Sequence, residues 1–424
     1  MVIEPRPRAT SSAQDPLPAP CNGPISQRLA LLEFAKGIAI LLVFGHHLAR
    51  TIAKVRGQPY PTLLQWSFTP PGGAYPDLHS AIEAIRPLRA LELALASFGY
   101  LGVHIFVVAS GFGLAYGARS AELRWGAFLV RRLRKLLPAF WIVVAGHALL
   151  NAAFHGEWRT SFGTIISRVT LLSSLSSHSF FELNSPLWFM GLIIPLYVVF
   201  PLLYRLALSR RAWVWLAALA ALGIGVRACL EIPSIKVRHI EFAHAFFICR
   251  VPEFYLGVLL GMRTRTQGTL GVSSRSALII GLSALAGATA AHTWRPAYPI
   301  LDLSFAALGS AMTLLCYRVA SRVSAPLVRC TAWVGVISYA LYLTHRPIIL
   351  HAGRFLRGAF ATPDATMEGT MLKLSAVAGV LGLAIVVAWS FQMALEWAGF
   401  LARPASYRPA TARAGIDLTL TDGG

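Results

Sequence analysis

Lys36 and His47 stand eleven residues apart in RLALLEFAKGIAILLVFGHHLAR, a stretch otherwise suited to lipid. Eleven residues is about three helical turns, so on a helix the two side chains share a face and lie roughly 16 Å apart along the axis. An ionisable side chain inside a bilayer costs on the order of 2.5–3.5 kcal/mol, which makes each one a functional candidate. Here the pattern is a polar stripe with a cation at one end and an imidazole at the other. Histidine titrates near neutrality and suits removal of a proton from a hydroxyl. Glu33 lies one turn before Lys36 and is placed to pair with it. The plainer alternative is that Lys36 snorkels to one interface while His46 and His47 mark the other.

Other polar residues interrupt the apolar segments. His104 lies in the middle of FGYLGVHIFVVASGFGLAYG, where it must face a cavity or a partner. Ser110, Gly111, Gly113 and Gly117 in the same segment form a small-residue face that favours close helix packing. Arg131, Arg132, Arg134 and Lys135 precede Pro138 in RWGAFLVRRLRKLLPAFW. They read either as an ordinary cytoplasmic basic cluster or as a phosphate clamp, since guanidinium groups bind phosphate strongly and coenzyme A carries phosphates. Arg250 and Glu253, three apart, are placed for an intrahelical ion pair. Ser338, Tyr342 and His345 recur at near-helical spacing in SYALYLTHRP, where an interfacial aromatic belt accounts for the tyrosines equally well. Asp302 has no partner that sequence can name. The five cysteines form no CxxC pair, so neither a metal site nor a disulfide framework is expected.

The elements that must position these residues follow from composition. The 424 residues are 56% hydrophobic and 13% charged, with a mean hydropathy of +0.60. Soluble domains carry about 25% charged residues, so this chain cannot cover its own surface in water. A span needs roughly 20 mostly apolar residues. Ten segments qualify: 29–49, 93–117, 136–154, 186–206, 212–230, 244–262, 276–292, 297–318, 332–352 and 372–395. The expected fold is therefore all-α, a polytopic transmembrane bundle of about ten helices around a polar central cavity. The net charge of +20 falls in short runs between spans. That distribution speaks for cytoplasmic loops and against nucleic-acid binding. With the N-terminus inside, the inner segments hold the larger share of Lys and Arg, so both termini are expected in the cytoplasm. Residues 1–28 read as a disordered cytoplasmic lead, 29–395 as the transmembrane domain and 396–424 as a cytoplasmic tail.

Taken together, the segments resemble the membrane-bound acyltransferase 3 family. LLEFAKGIAILLVFGHH is similar to its first-helix motif, a basic residue, ten residues and a histidine. GYLGVHIFVVASGF is similar to its second, and RRLRKLLPAFW to its Arg-x-x-Arg motif, aligned on Arg132 and Lys135. SPLWFMGLIIPLYVVFPLL with RVPEFYLGVLLG resembles the middle helices, and ISYALYLTHRPI the ninth. The resemblance implies transfer of an acyl group, usually acetyl from acetyl-CoA, to a hydroxyl of a carbohydrate or glycolipid acceptor, in the bacterial inner membrane. Acetyl-CoA would be a substrate, with no permanently bound cofactor. His47 would be the catalytic base, assisted by Lys36 and Glu33. Lys36 and Arg132 with Lys135, and Arg131 and Arg134 beside them, would serve the donor. His104, Ser110, Trp188, Arg250, Glu253, Tyr342 and His345 would line the cavity. Three positions depart from the family pattern: His104 replaces a common Asp, Lys135 replaces the second Arg, and Ile193 replaces a Glu five residues after the tryptophan matched by Trp188. The rival expectation is a transporter or flippase for an envelope saccharide precursor, using the same buried groups as a solute path.

Overall fold

The computed structural model describes residues 25–56, 92–118 apart from 93 and 97, 124–155, 162–171, 185–230, 245–361 and 367–400. The lead before residue 25, the whole of the loop 57–91 and the tail after residue 400 lie outside the described residues. Thirteen α-helices follow in order: α1 (Ile25–Val55), α2 (Leu101–Tyr116), α3 (Trp125–His155), α4 (Phe162–Val169), α5 (Trp188–Ala207), α6 (Ala212–Leu230), α7 (Phe247–Gln267), α8 (Ser274–Thr293), α9 (Leu301–Val323), α10 (Ala325–Val336), α11 (Ser338–His351), α12 (Gly353–Ala361) and α13 (Met367–Trp397). The protein is an all-α, multi-pass membrane bundle.

Nine of the ten segments read from sequence carry one α-helix each, and the segment 332–352 carries parts of two. Six helices are long and apolar enough to cross a membrane unaided: α1, α5, α6, α8, α9 and α13. A seventh crossing counts only if α10 and α11 are taken together. Length and composition thus support six or seven crossings among the described residues, against the ten expected. Helix α7 carries Arg250, Glu253, Arg263 and Arg265, α2 has only 16 residues, and the uncharged part of α3 after Lys135 runs beyond the fully described residues.

Two expected boundaries move. The first helix runs on to Val55 for 31 residues, about 46 Å, well past His47. The third starts at Trp125 and passes straight through Pro138, so the basic residues sit on the helix itself rather than ahead of it. Proline is tolerated inside membrane helices because neighbouring groups re-satisfy the freed backbone, and α5 carries two, Pro195 and Pro201. The expected single helix over 332–352 is instead α10 and α11, bent by 77° at Ile337.

Bare backbone contact fixes the centre. Helix α2 packs on α1, α7 and α9. A Cβ built on Gly257 of α7 would lie 2.0 Å from the Val108 carbonyl oxygen, and one on Gly111 of α2 would lie 2.1 Å from that of Phe254. Small residues let helices approach this closely where lipid supplies no hydrophobic drive. The small-residue face of α2 is therefore split. Gly111 packs on α7, whereas Ser110 and Gly113 open onto a cavity. Helices α1 and α10 meet the same way, Gly335 lying against the Glu33 carbonyl. Gly257→Val is expected to drive α2 and α7 apart, lowering the thermal midpoint of the detergent-solubilised protein by at least the roughly 1–3 kcal/mol of ordinary overpacking. Gly225→Val, at a site with open space, should leave the midpoint unchanged.

The outer faces of α6, α8 and α13 expose Trp213, Val214, Leu222, Ile279, Leu282 and Val386. On α6, the buried residues are Gly223 and Arg227 alone. Its apolar side chains face lipid while one arginine points inward.

Candidate active site

Helices α1, α2, α3, α5, α10, α11 and α13 surround a cavity of about 390 Å³. This lies in the range of small-molecule sites, roughly 300–1,000 Å³. Lys36 and Glu33 enter it from α1, Ser110 from α2, Arg132 and Lys135 from α3, and Tyr342 from α11. Arg132 and Lys135, three apart, share the inner face of α3, whereas Arg131 and Arg134 are exposed on its outer side and do not line the cavity.

Charge in the cavity is unbalanced. Lys36 Nζ lies 2.7 Å from Glu33 Oε1, with the two side chains 31% and 23% exposed. A pair that open contributes little stability, so its effect is to hold the ammonium against the cavity wall. Glu396 accepts a hydrogen bond from Gln392 Nε2 at 3.0 Å. Arg132 stacks its guanidinium over Phe128 at 5.7 Å. Lys135 stands at the exposed rim of the cavity, where partial desolvation and the neighbouring Lys36 and Arg132 lower its pKa. Three cations face two carboxylates, a setting that attracts an anion.

Aromatic rings close the far end. Phe106 and Phe189 have ring centres 6.0 Å apart, and Phe189 and Tyr342 5.5 Å apart. The Tyr342 hydroxyl donates to the Pro186 carbonyl, and the Tyr339 hydroxyl donates to that of Leu136 at 2.7 Å, tying α11 to α3. Beyond Tyr342 the rings continue to His345 at 6.4 Å and from His345 to His47 at 5.2 Å. His47 is thus not a wall of the cavity, as the shared stripe with Lys36 suggests, but stands behind its aromatic end. His345 lies behind that end as well, outside the lining where it was expected. The neighbouring His46 turns away: its Nδ1 is 3.1 Å from the Ala96 carbonyl. Trp188, expected in the lining, packs behind Phe189 with ring centres 6.1 Å apart. Ile193, Tyr197 and Tyr339 do line the cavity.

The expectation that His104, Arg250 and Glu253 face this cavity is corrected. They form a sealed network with Arg227 and Asp302, every side chain at most 5% exposed. Arg250 Nη1 lies 3.3 Å from Glu253 Oε1 and 3.0 Å from Asp302 Oδ1. Arg227 bonds Asp302 from α6, and its guanidinium lies 5.1 Å from the Tyr298 ring centre. His104 Nδ1 is 3.2 Å from Glu253 Oε2. Buried charges demand partners, and three helices bring two guanidinium groups to two carboxylates while α2 adds the imidazole. The ligand atoms of His104, Glu253 and Asp302 lie within 4.8 Å of one another, as three metal ligands would. Arg227 and Arg250 already occupy those carboxylates, so the cluster is built for its own cations.

Comparison with known proteins bears on this site. The sequence model of the acyltransferase 3 family, described as "Acyltransferase domain", matches residues 29–393. The chain is similar to a protein named "Acyltransferase MdmB" from Streptomyces mycarofaciens, 26% identical over 313 residues, covering 68% of this chain and 78% of the relative. No solved structure matches.

Proposed function

The chain belongs to the acyltransferase 3 family, and on that premise we propose that it moves an acetyl group from acetyl-CoA to a hydroxyl of a carbohydrate or glycolipid acceptor in the bacterial inner membrane. The observation that carries this reading is the cavity in which Lys36, Arg132 and Lys135 converge while the helix bearing Lys36 continues to His47. Both termini face the cytoplasm, so the donor enters at the cationic end. Its phosphates rest against Arg132, which offers a planar fork of donors, and Lys135, which acts as a point charge. Lys36, held by Glu33, completes the anion site. Ile193 keeps the wall free of a carboxylate that would repel those phosphates. The pantetheine arm runs along Phe189 and past Tyr342 to bring the thioester to His47. His47 removes the proton of an acceptor hydroxyl arriving from the opposite side.

The test uses the purified chain in lipid nanodiscs with acetyl-labelled acetyl-CoA, and as acceptors an alkyl glycoside and the glycolipid extract of the source membranes. The expected result is alkali-labile label on an acceptor, with one free thiol released per acetyl transferred. Intact thioester and unlabelled acceptors would remove the proposal. Arg132→Ala should raise the donor KM about 10- to 100-fold, since a hydrogen bond to a charged group contributes roughly 1.5–3 kcal/mol, with a smaller change in kcat. Arg131→Ala, at an exposed position, should match the wild type in the same titration.

A further inference from the structure

Among the described residues, two imidazole nitrogens behind Tyr342 have no hydrogen-bond partner. His47 Nδ1 and His345 Nε2 are both buried and make no hydrogen bond. Their rings lie 5.2 Å apart, tilted by 38°. An unmade hydrogen bond on a buried polar atom costs roughly 1–3 kcal/mol, so two such atoms on touching rings point to one bond between them.

The other nitrogen of His345 fixes its tautomer. Nδ1 lies 2.8 Å from the Tyr342 carbonyl and 3.0 Å from that of Leu341. Carbonyl oxygens only accept, so Nδ1 carries the proton and donates it, and in the neutral ring Nε2 presents a lone pair. Thr51 Oγ1 donates to the His47 carbonyl at 3.0 Å, and Arg346, the residue after His345, donates to Thr51 Oγ1 at 3.3 Å. Helices α1 and α11 are thereby locked together at this level. Phe44 packs against His345, and His46 stands 5.5 Å from His47 with its Nδ1 committed to Ala96. Among the described residues, no carboxylate is bonded to either ring.

We propose that His345 is a positioning residue for His47. A turn of the His47 ring about its Cβ–Cγ bond lets Nδ1–H donate to His345 Nε2. This holds His47 in the tautomer whose Nε2 lone pair is free for the acceptor, the part an aspartate plays in a Ser-His-Asp triad. The inference rests on the reading of His47 as the base. In the reaction, the acceptor's hydroxyl proton passes to His47 Nε2 as its oxygen bonds to the thioester carbonyl carbon. The carbon–sulfur bond then breaks, and the same proton moves from Nε2 to the departing thiolate, leaving an ester and a free thiol. His345 keeps its own Nδ1 proton and accepts from the imidazolium throughout.

The experiment compares His345→Gln, His345→Asn and His345→Phe in the nanodisc assay with acetyl-CoA and the alkyl glycoside. The amide of Gln reaches the place of Nε2, whereas that of Asn reaches only the place of Nδ1. His345→Gln is expected to stay within about 10-fold of the wild-type kcat, while Asn and Phe lose on the order of 10²-fold, the low end of what a positioned base contributes, with donor KM unchanged. In a His47→Ala background, His345→Phe should cost nothing further, because residues acting as a unit are non-additive. Asn performing as well as Gln would mean that only the backbone bonds matter, and the inference falls. It falls equally if His345→Phe keeps full kcat or multiplies the loss of His47→Ala. Full activity in His47→Ala alone instead overturns the underlying reading of His47.

Discussion

His47→Ala is expected to cut kcat for acetyl transfer by about 10²–10⁴-fold, the contribution of a positioned general base, while the protein stays folded and membrane-inserted in wild-type amount. Stability is spared because the His47 side chain is only partly buried and its Nδ1 makes no hydrogen bond. The donor KM is expected to hold, since Lys36, Arg132 and Lys135 sit on the near side of the Phe189 and Tyr342 rings. His46→Ala gives the contrasting pattern. That ring is 5% exposed and bonded to the Ala96 carbonyl, so its loss should lower the thermal midpoint more than the turnover. Initial rates at saturating donor, paired with melting curves of each variant, separate the two. Folded His47→Ala with wild-type turnover would end the base assignment.

Asp302→Ala is expected to have the largest structural effect. Asp302 bonds both Arg227 and Arg250. Without it Arg227 loses the carboxylate that it bonds on α9, Arg250 loses the nearer of its two, and both guanidinium groups lose a buried counter-charge. Removing one partner of a buried pair typically costs about 3–5 kcal/mol, which in a membrane bundle means loss of most folded protein. Arg227→Met with Asp302→Asn removes one charge of each sign and leaves Arg250 with Glu253. That double variant should recover much of the midpoint lost by Asp302→Ala. Size-exclusion yield and thermal midpoint in detergent report both effects. A wild-type midpoint for Asp302→Ala would show that the cluster does not hold the bundle together.

The course of the helices was legible in the sequence because apolar length is what lipid selects. Their ends and bends were less so. The break at Ile337 carries no proline, and Pro138, which invites a boundary, has none. The cationic side of the cavity was readable from Lys36 and from the three-residue spacing of Arg132 and Lys135. The aromatic end was not: Phe106, Phe189 and Tyr197 look the same in sequence whether they meet lipid or a cavity. The buried network was misread for a related reason. Sequence shows that His104, Arg250 and Glu253 are charged or polar within apolar segments, but not that Arg227 and Asp302 come to meet them. Balancing the intramembrane charges by sign would have offered the clue, since Arg227 and Asp302 are opposite and otherwise unexplained.

The inward arginine of α6 has a consequence for how the chain is made. Arg227 and Asp302 are 75 residues apart, so when α6 emerges from the ribosome its counter-ion has not yet been synthesised. Until α9 arrives, Arg227, in the last turn of α6, lacks the carboxylate that it bonds in the finished bundle and can snorkel toward the interface. The ion pair that ties α6 to α9 therefore closes late in biogenesis, after both helices have been made.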